Sequence, residues 1–213
     1  MKYKVMIVED QTMPRELFEL RIQASEHFEV ALSIDNAALA DVYCLRFPVD
    51  LILMDVVTRN GESGLDAAER IKRAFPQIKI IIVTSMPECS YLSRAREIGV
   101  ESFWYKEEQR ESLPDVMERT MNGESVYPDA TPELQLGLAS SYEFTERELE
   151  VLREMTGGDT NQEIADRLHL SVATVKTHIL NMLEKTGFRN RTELAVRARE
   201  SGLVIPDRKS EAL

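Results

Sequence analysis

Leu51-Ile52-Leu53-Met54-Asp55 is the stretch that decides the fold of the first half of this chain. Four consecutive apolar residues read as a strand buried on both faces, the pattern of a parallel sheet. The run ends on a carboxylate. In open α/β sheets the carboxyl ends of the strands line the ligand crevice. Asp55 thus stands at the tip of a rigid element, where chemistry is placed. Taken alone, the same residue also suits a helix N-cap or a solvated turn.

The flanking sequence repeats the pattern. Val5-Met6-Ile7-Val8 is a short buried strand that ends on Glu9-Asp10, and Pro14 suits the first turn of a helix running to about Ser25. Residues 28–34 read as the second strand, followed by a helix over 36–46 that offers Ala37, Ala40, Val42 and Leu45 for packing. Beyond Asp55, a turn at 61–64 leads into a helix over 65–75, with Ala68 and Ile71 on one side and Pro76 as its stop. Residues 78–83 form a fourth apolar run ending on Thr84, with a helix over 87–98 after it. Ser102-Phe103-Trp104-Tyr105 is the fifth run, ends on Lys106, and precedes a helix over 113–122. Five strand–helix units in alternation specify a doubly wound parallel sheet with helices on both faces.

Four of the five strand ends carry polar groups: Glu9 with Asp10, Asp55, Thr84 and Lys106. Three carboxylates gathered at one rim repel each other and call for a cation. An oxygen-only donor set suits a hard ion such as Mg²⁺, which also meets phosphate oxygens. A carboxylate can attack phosphorus to give an acyl phosphate, and a Lys and a hydroxyl can contact the phosphoryl oxygens.

These residues resemble the receiver domain of bacterial two-component response regulators, over Val5 to about Gly123. The resemblance implies a five-stranded sheet of flavodoxin-like order 2-1-3-4-5. It implies Asp55 as phosphoacceptor and Glu9, Asp10, Asp55 and the Val57 carbonyl as Mg²⁺ ligands. Thr84 and Lys106 become phosphoryl contacts, and Phe103, three residues before that Lys, the switch aromatic. One stretch departs from the pattern. Family members usually carry a Pro four residues after the phosphoacceptor and a Gly eight after it. Residues 56–64 lack the Pro and run one residue longer, which puts the Val57 carbonyl and Mg²⁺ binding in question. Phe103 in place of the commoner Tyr removes a hydroxyl.

Composition bounds the rest. The net charge of −11 argues against a chain devoted wholly to nucleic acid. Yet residues 171–191 hold Lys176, Lys185, Arg189 and Arg191 against Glu184 alone. Cys44 and Cys89 lack metal spacing and read as small buried hydrophobes in a reduced compartment. No apolar run approaches membrane-spanning length and no signal-peptide pattern opens the chain, so the expectation is a soluble cytoplasmic protein without a membrane role. Breakers between Met121 and Tyr142 read as a linker over 123–142, with a short helix at 133–138, between a first domain at 1–122 and a second at 143–213.

The second domain opens on a capping box, Thr145-Glu146-Arg147-Glu148, and a second follows at Thr160-Asn161-Gln162-Glu163. Leu149, Leu152 and Met155 mark one apolar helix face; Ile164, Ala165 and Leu168 mark the next. His169-Leu170 makes a tight turn, Ser171 caps a third helix to about Thr186, and a fourth spans 192–201. In the third helix Val172, Val175, Ile179 and Met182 face inward, and Ala173, Lys176, Thr177 and Leu180 face out. Such a helix-turn-helix can place that outer face in a major groove; an ordinary four-helix subdomain with a solvated face has the same periodicity.

Phe144-Thr145-Glu146-Arg147-Glu148 through Ala165, then Ser171 to His178, closely resembles the LuxR/NarL-type DNA-binding domain, over about 143–205. That resemblance implies Lys176 and Thr177 as groove contacts and Asn161, Ser171, Thr174 and Arg191 as backbone contacts. Ile179 and Leu180 stand where the family often has basic or polar residues, which puts G-specific readout in question. His178 reads as a packing and phosphate-side residue, His27 and His169 as surface residues. The whole chain resembles a NarL/FixJ-type response regulator. This implies a histidine kinase partner, Mg²⁺, promoter DNA with an inverted repeat, and a homodimer at least when activated. The alternative is a receiver that works without phosphorylation, as a dimerisation or protein-interaction module. An Asp-nucleophile phosphatase needs a second acid two residues on, where this chain has Val57, so the expectation is not an enzyme.

Overall fold

The apolar runs form the strands Tyr3–Val8 (β1), Phe28–Ile34 (β2), Leu51–Met54 (β3), Lys79–Thr84 (β4) and Ser102–Tyr105 (β5). All pair in parallel in one sheet, ordered β2-β1-β3-β4-β5. The computed structural model describes residues 2–59, 63–88, 90–107 and 111–204. The chain divides into two compact units, Met1–Ser85 with Ser90–Ala130, and Met86–Cys89 with Thr131–Leu213.

In the first unit, helices Thr12–Gln23 (α1), Ala40–Arg46 (α2), Gly64–Ala74 (α3), Ser90–Ile98 (α4) and Leu113–Met121 (α5) alternate with the strands. The central strands are apolar on both sides because both sides are covered. Val5, Ile7, Leu51, Leu53, Ile81 and Val83 pack with Phe18 and Ile22 of α1, Trp104, and Leu113, Val116 and Met117 of α5. The alternate residues Met6, Ile52, Met54, Ile80 and Ile82 are buried as well, as are Leu65, Ala68 and Ile71 of α3. Edge strand β2 is fully buried only at Phe28.

Several expectations need correction here. The helix over 36–46 divides into a 3-10 turn, Ala37–Leu39, and α2. Ala37 and Ala40 are buried, but Val42 and Leu45 are exposed, so the packing face is narrower than the apolar residues suggest. Helix α4 starts three residues later than expected. Cys44 is half-buried rather than buried, and Cys89 lies outside the described residues.

The second unit consists of Gln135–Leu136 (β6), Ala139–Ser140 (β7), Glu146–Thr156 (α6), Asn161–Leu168 (α7), Val172–Thr186 (α8) and Arg191–Ser201 (α9). The predicted linker is largely built into the two units. Val126 packs on the first core, and Leu136 and Ala139 are buried in the second. The short helix expected at 133–138 is instead an antiparallel hairpin. Gly137 sits at φ +63°, and a Cβ there would stand 2.2 Å from the Thr186 carbonyl. Both facts oppose a helix, and a two-residue hairpin loop uses that backbone region.

Both capping boxes form. Thr145 caps α6 with Glu148 reaching back, and Thr160 caps α7 with Glu163. Glu148 also receives Lys185 Nζ of α8 at 2.7 Å, which ties the third helix of this unit to the first. Burial pushes the Glu148 carboxyl up, but Lys185 and the Thr145 N–H and hydroxyl outweigh it and hold it below the usual carboxylate value. The folded unit therefore binds this proton less readily than the unfolded chain. The resulting stabilisation is complete above the usual carboxylate range and lost as pH falls through it toward the lowered value.

Glu148→Ala should destabilise the second unit by about 1–3 kcal/mol, through loss of the cap and an uncompensated Lys185. The measurement is thermal unfolding of the full chain by far-UV circular dichroism, with fluorescence of the single Trp104 reporting on the first unit. The circular dichroism transition should move more than the Trp104 transition, and its shift should shrink below about pH 4.

Candidate functional site

The first cluster forms at the C-terminal ends of the strands. Glu9 follows β1, Asp55 follows β3, Thr84 ends β4 and Lys106 follows β5. Lys106 Nζ donates to Glu9 Oε2 at 2.6 Å and to Asp55 Oδ2 at 2.9 Å. Glu9, Asp55 and Thr84 are all buried. The second oxygen of Glu9 accepts from the Gln11 N–H at 3.1 Å, and Asp55 Oδ1 accepts from the Val56 N–H at 2.8 Å. The Lys106 N–H donates to the Thr84 carbonyl at 2.9 Å, which places the end of β5 beside that of β4.

Burial pushes the Asp55 carboxyl up to about 7, with Glu9 adding to the rise and Lys106 opposing it. Burial lowers the affinity of Lys106 for its proton, but Asp55 and Glu9 overcome that and raise it. Burial dominates the first shift, and the two carboxylates dominate the second. Two buried carboxylates share one ammonium, and the pocket is short of positive charge. Carboxylate oxygens of Glu9, Asp10 and Asp55 all lie within 4.8 Å of one another. Octahedral Mg²⁺ holds oxygens at about 2.1 Å, so opposite ligands stand about twice that apart. The donor set, its spacing and its charge deficit fit a hard divalent cation.

The lengthened segment after Asp55 is pinched at its base. Val57 and Ser63 form an isolated antiparallel bridge, and the Gly64 N–H donates to the Val56 carbonyl at 2.8 Å. Ser63 caps α3. Gly64 is the first residue of that helix, and a Cβ on it would stand 1.8 Å from the Asp55 carbonyl oxygen. So Gly64 makes this close approach nine residues after Asp55, one residue later than the usual Gly of the pattern. Thr58 is buried, and its hydroxyl accepts from the Ala37 N–H at 3.0 Å. Asn60, Gly61 and Glu62 lie outside the described residues. Reading by residue type passed over Gly64, although its spacing was the available signal.

Phe103 is buried, with ring centres 5.0 Å from Tyr105 and 6.3 Å from Tyr127. Its side chain is thus part of an aromatic cluster rather than a solvent-facing ring.

The second cluster lies on α7, α8 and α9. Helix α7 ends at His169 in the left-handed region, φ +53°, and Ser171 caps α8 two residues later. Val175, Ile179 and Met182 are buried, and Val172 packs partly against the same core. Ala173, Lys176, Thr177 and Leu180 are exposed, as the periodicity predicts. Ser171 Oγ accepts from the Thr174 N–H and lies 2.8 Å from the Thr174 hydroxyl. Arg191 donates to Asn161 Oδ1 and to the Asp159 carbonyl, both at 2.8 Å. Lys185 is held by Glu148 and by the Glu143 carbonyl. Of the four basic residues in 171–191, two are therefore engaged within the unit. Lys176 and Arg189 are exposed. Among the described residues, Lys176 has no ion-pair or hydrogen-bond partner. His178 is half-buried; His27 and His169 are exposed.

Comparison with known proteins bears on both clusters. Residues 5–118 match the response regulator receiver domain family, and residues 143–198 match the luxR family of bacterial regulatory proteins. The response regulator protein VraR of Staphylococcus aureus (strain Mu3 / ATCC 700698) is 32% identical over 209 residues, 96% of this chain and all of that one. Among solved structures, RcsB dimers bound to two parallel DNAs superpose with a TM-score of 0.62 at 19% identity, covering 94% of this chain and 99% of that one. RcsB of Salmonella enterica serovar Typhimurium, bound to promoter P1flhDC with the phosphomimetic BeF3-, superposes with a TM-score of 0.61 at 21% identity, covering 95% and 100%. The two structures share the fold.

The Gly64 contact is directly testable. Gly64→Ala should displace the start of α3 from Asp55 and destabilise the first unit by about 3 kcal/mol. Ser63→Ala, which removes only the cap, should cost about 1 kcal/mol. Urea unfolding followed by Trp104 fluorescence ranks the two; equal effects would remove the close approach as a constraint.

Proposed function

The chain belongs to the response regulators that join a receiver domain to a LuxR-type DNA-binding domain, and from that premise we propose that phosphorylation of Asp55 controls its dimerisation and promoter binding. The observation that carries the reading is the convergence of Lys106 on both Glu9 and Asp55. Glu9, Asp10, Asp55 and the Val57 carbonyl would hold Mg²⁺, and the ion would supply positive charge for the phosphoryl oxygens when bound. A carboxylate oxygen of Asp55 attacks phosphorus of a kinase phosphohistidine. The P–N bond breaks, a P–O bond forms, and the histidine leaves.

The acyl phosphate carries roughly −1.5 to −2 charges where the carboxylate carried one. Lys106 then pairs with a phosphoryl oxygen, and the Thr84 hydroxyl donates to another. Movement of Thr84 frees space for Phe103 and its aromatic neighbours to repack, which biases a two-state equilibrium in the receiver. In the DNA-binding unit, Lys176 and Thr177 enter the major groove. Ser171, Thr174, Asn161 and Arg191 border it and contact the backbone. Arg191 has five N–H donors, so its bonds to Asn161 and Asp159 leave others for a phosphate. A dimer places two recognition helices about 34–36 Å apart, the spacing of an inverted repeat. With Lys185 held internally, each subunit offers few free cations, and pairing of two subunits raises affinity.

No helix among the described residues is long and apolar enough to cross a membrane. The reading places the chain in the cytoplasm, where a kinase and promoter DNA are both reachable.

Incubation with Mg²⁺ and acetyl phosphate should add one phosphoryl group by mass spectrometry, and Asp55→Asn should abolish it. Lys106→Met should still bind Mg²⁺ but fail to convert adduct formation into dimerisation, measured by sedimentation with and without beryllofluoride. An adduct that forms equally on Asp55→Asn, or no adduct at all, overturns the phosphorylation reading and leaves a phosphorylation-independent receiver.

A further inference from the structure

The outward face of α8 is more apolar than a phosphate- or guanine-reading face needs to be. Ala173, Thr177 and Leu180 stand at i, i+4 and i+7, within about 60° of arc at 3.6 residues per turn. All three are exposed, and Leu180 shows 59% of its surface. The Thr177 hydroxyl donates to the Ala173 carbonyl at 3.0 Å, which leaves its methyl as the group with no polar partner. Lys176, beside this stripe, is the one cation on the face. The opposite side of the helix, with Val175, Ile179 and Met182, is already buried in the unit's own core. Leu180 is therefore not part of the folding core.

We infer that this stripe reads thymine methyl groups in the major groove, and that Leu180 is the residue that sets this preference. The inference rests on the DNA-binding reading above and names the base chemistry that the same helix recognises. The thymine C5-methyl is the one apolar group on a base-pair edge in the major groove; guanine offers only acceptors there. A Leu at this place cannot donate to guanine O6 or N7, and facing them would desolvate them without compensation. Facing a methyl, it removes apolar surface from water on both sides. Seven residues of helix span about 10.5 Å, or about three base-pair steps. The stripe can therefore cover a short thymine-bearing run, with Lys176 at its flank on a phosphate or a purine edge. Lys176, exposed at the edge of the stripe and without an ion-pair or hydrogen-bond partner among the described residues, supplies the positive charge that commits this apolar face to DNA rather than to another protein.

The test uses the full chain, treated with Mg²⁺ and beryllofluoride, and a duplex obtained by in vitro selection from random sequence. Thymines of the selected site are replaced one at a time by deoxyuracil, which differs only in lacking the methyl group. At one thymine of each half-site, the replacement should weaken wild-type binding by about fourfold. Leu180→Ala should bind more weakly and lose that sensitivity, and a second selection with Leu180→Lys should replace this thymine with guanine. Circular dichroism of both variants should match wild type, because the side chain lies outside the core.

Binding by the wild type without sensitivity to deoxyuracil overturns this inference and leaves the DNA-binding reading intact. Sensitivity that persists in Leu180→Ala does the same. A Leu180→Ala protein that loses self-association while keeping its deoxyuracil response would assign the residue to a protein contact and overturn it as well. Failure to select any duplex overturns the DNA-binding reading, and this inference with it.

Discussion

One ammonium placed between two buried carboxylates sets the geometry of the first unit. Lys106 follows the edge strand β5, whereas Asp55 follows β3 and Glu9 follows β1. Neighbouring strands stand about 4.8 Å apart, so the side chain must cross more than one strand to reach its partners. Only a long, flexible cation can make that crossing. The same arrangement buries Asp55, which raises its carboxyl, and leaves the pocket with excess negative charge, to which Glu9 contributes. Fold and electrochemical poise are thus consequences of one strand order.

In the second unit, cations serve two ends. Lys185 and Arg191 hold helices together, through Glu148 and through Asn161 and the Asp159 carbonyl. Lys176 faces outward without such a partner. A count of basic residues along the chain overstates the charge available to DNA, because it cannot separate the two uses. What remains on the outer face of α8 is one cation and an apolar stripe. That combination favours readout by shape and methyl contact over bidentate hydrogen bonding.

The readings that failed lie where the composition of a segment does not fix its packing. Val42 and Leu45 have the composition of a packing face, yet both are exposed on α2, which follows a 3-10 turn. Residues 133–138 contain good helix formers, yet Gly137 must meet the Thr186 carbonyl, and the segment turns as a hairpin. In the longer segment after Asp55, Val57 and Ser63 form a bridge, and Gly64 lies against the Asp55 carbonyl. At Gly137 a neighbour distant in sequence decides the local conformation.

By itself the sequence determined the elements whose cause is local or periodic. Four-residue apolar runs set the buried strands, Thr145 and Thr160 with their Glu partners set two helix starts, and a 3.6-residue period set the two faces of α8. It also marked which strand ends carry acid, hydroxyl and ammonium, because side-chain chemistry is written in each residue. Tertiary structure alone decided which of those groups touch, how deeply Asp55 is buried, and which cations are already engaged. Those properties depend on distances and dielectric between residues far apart in the chain, and no short window of sequence contains them.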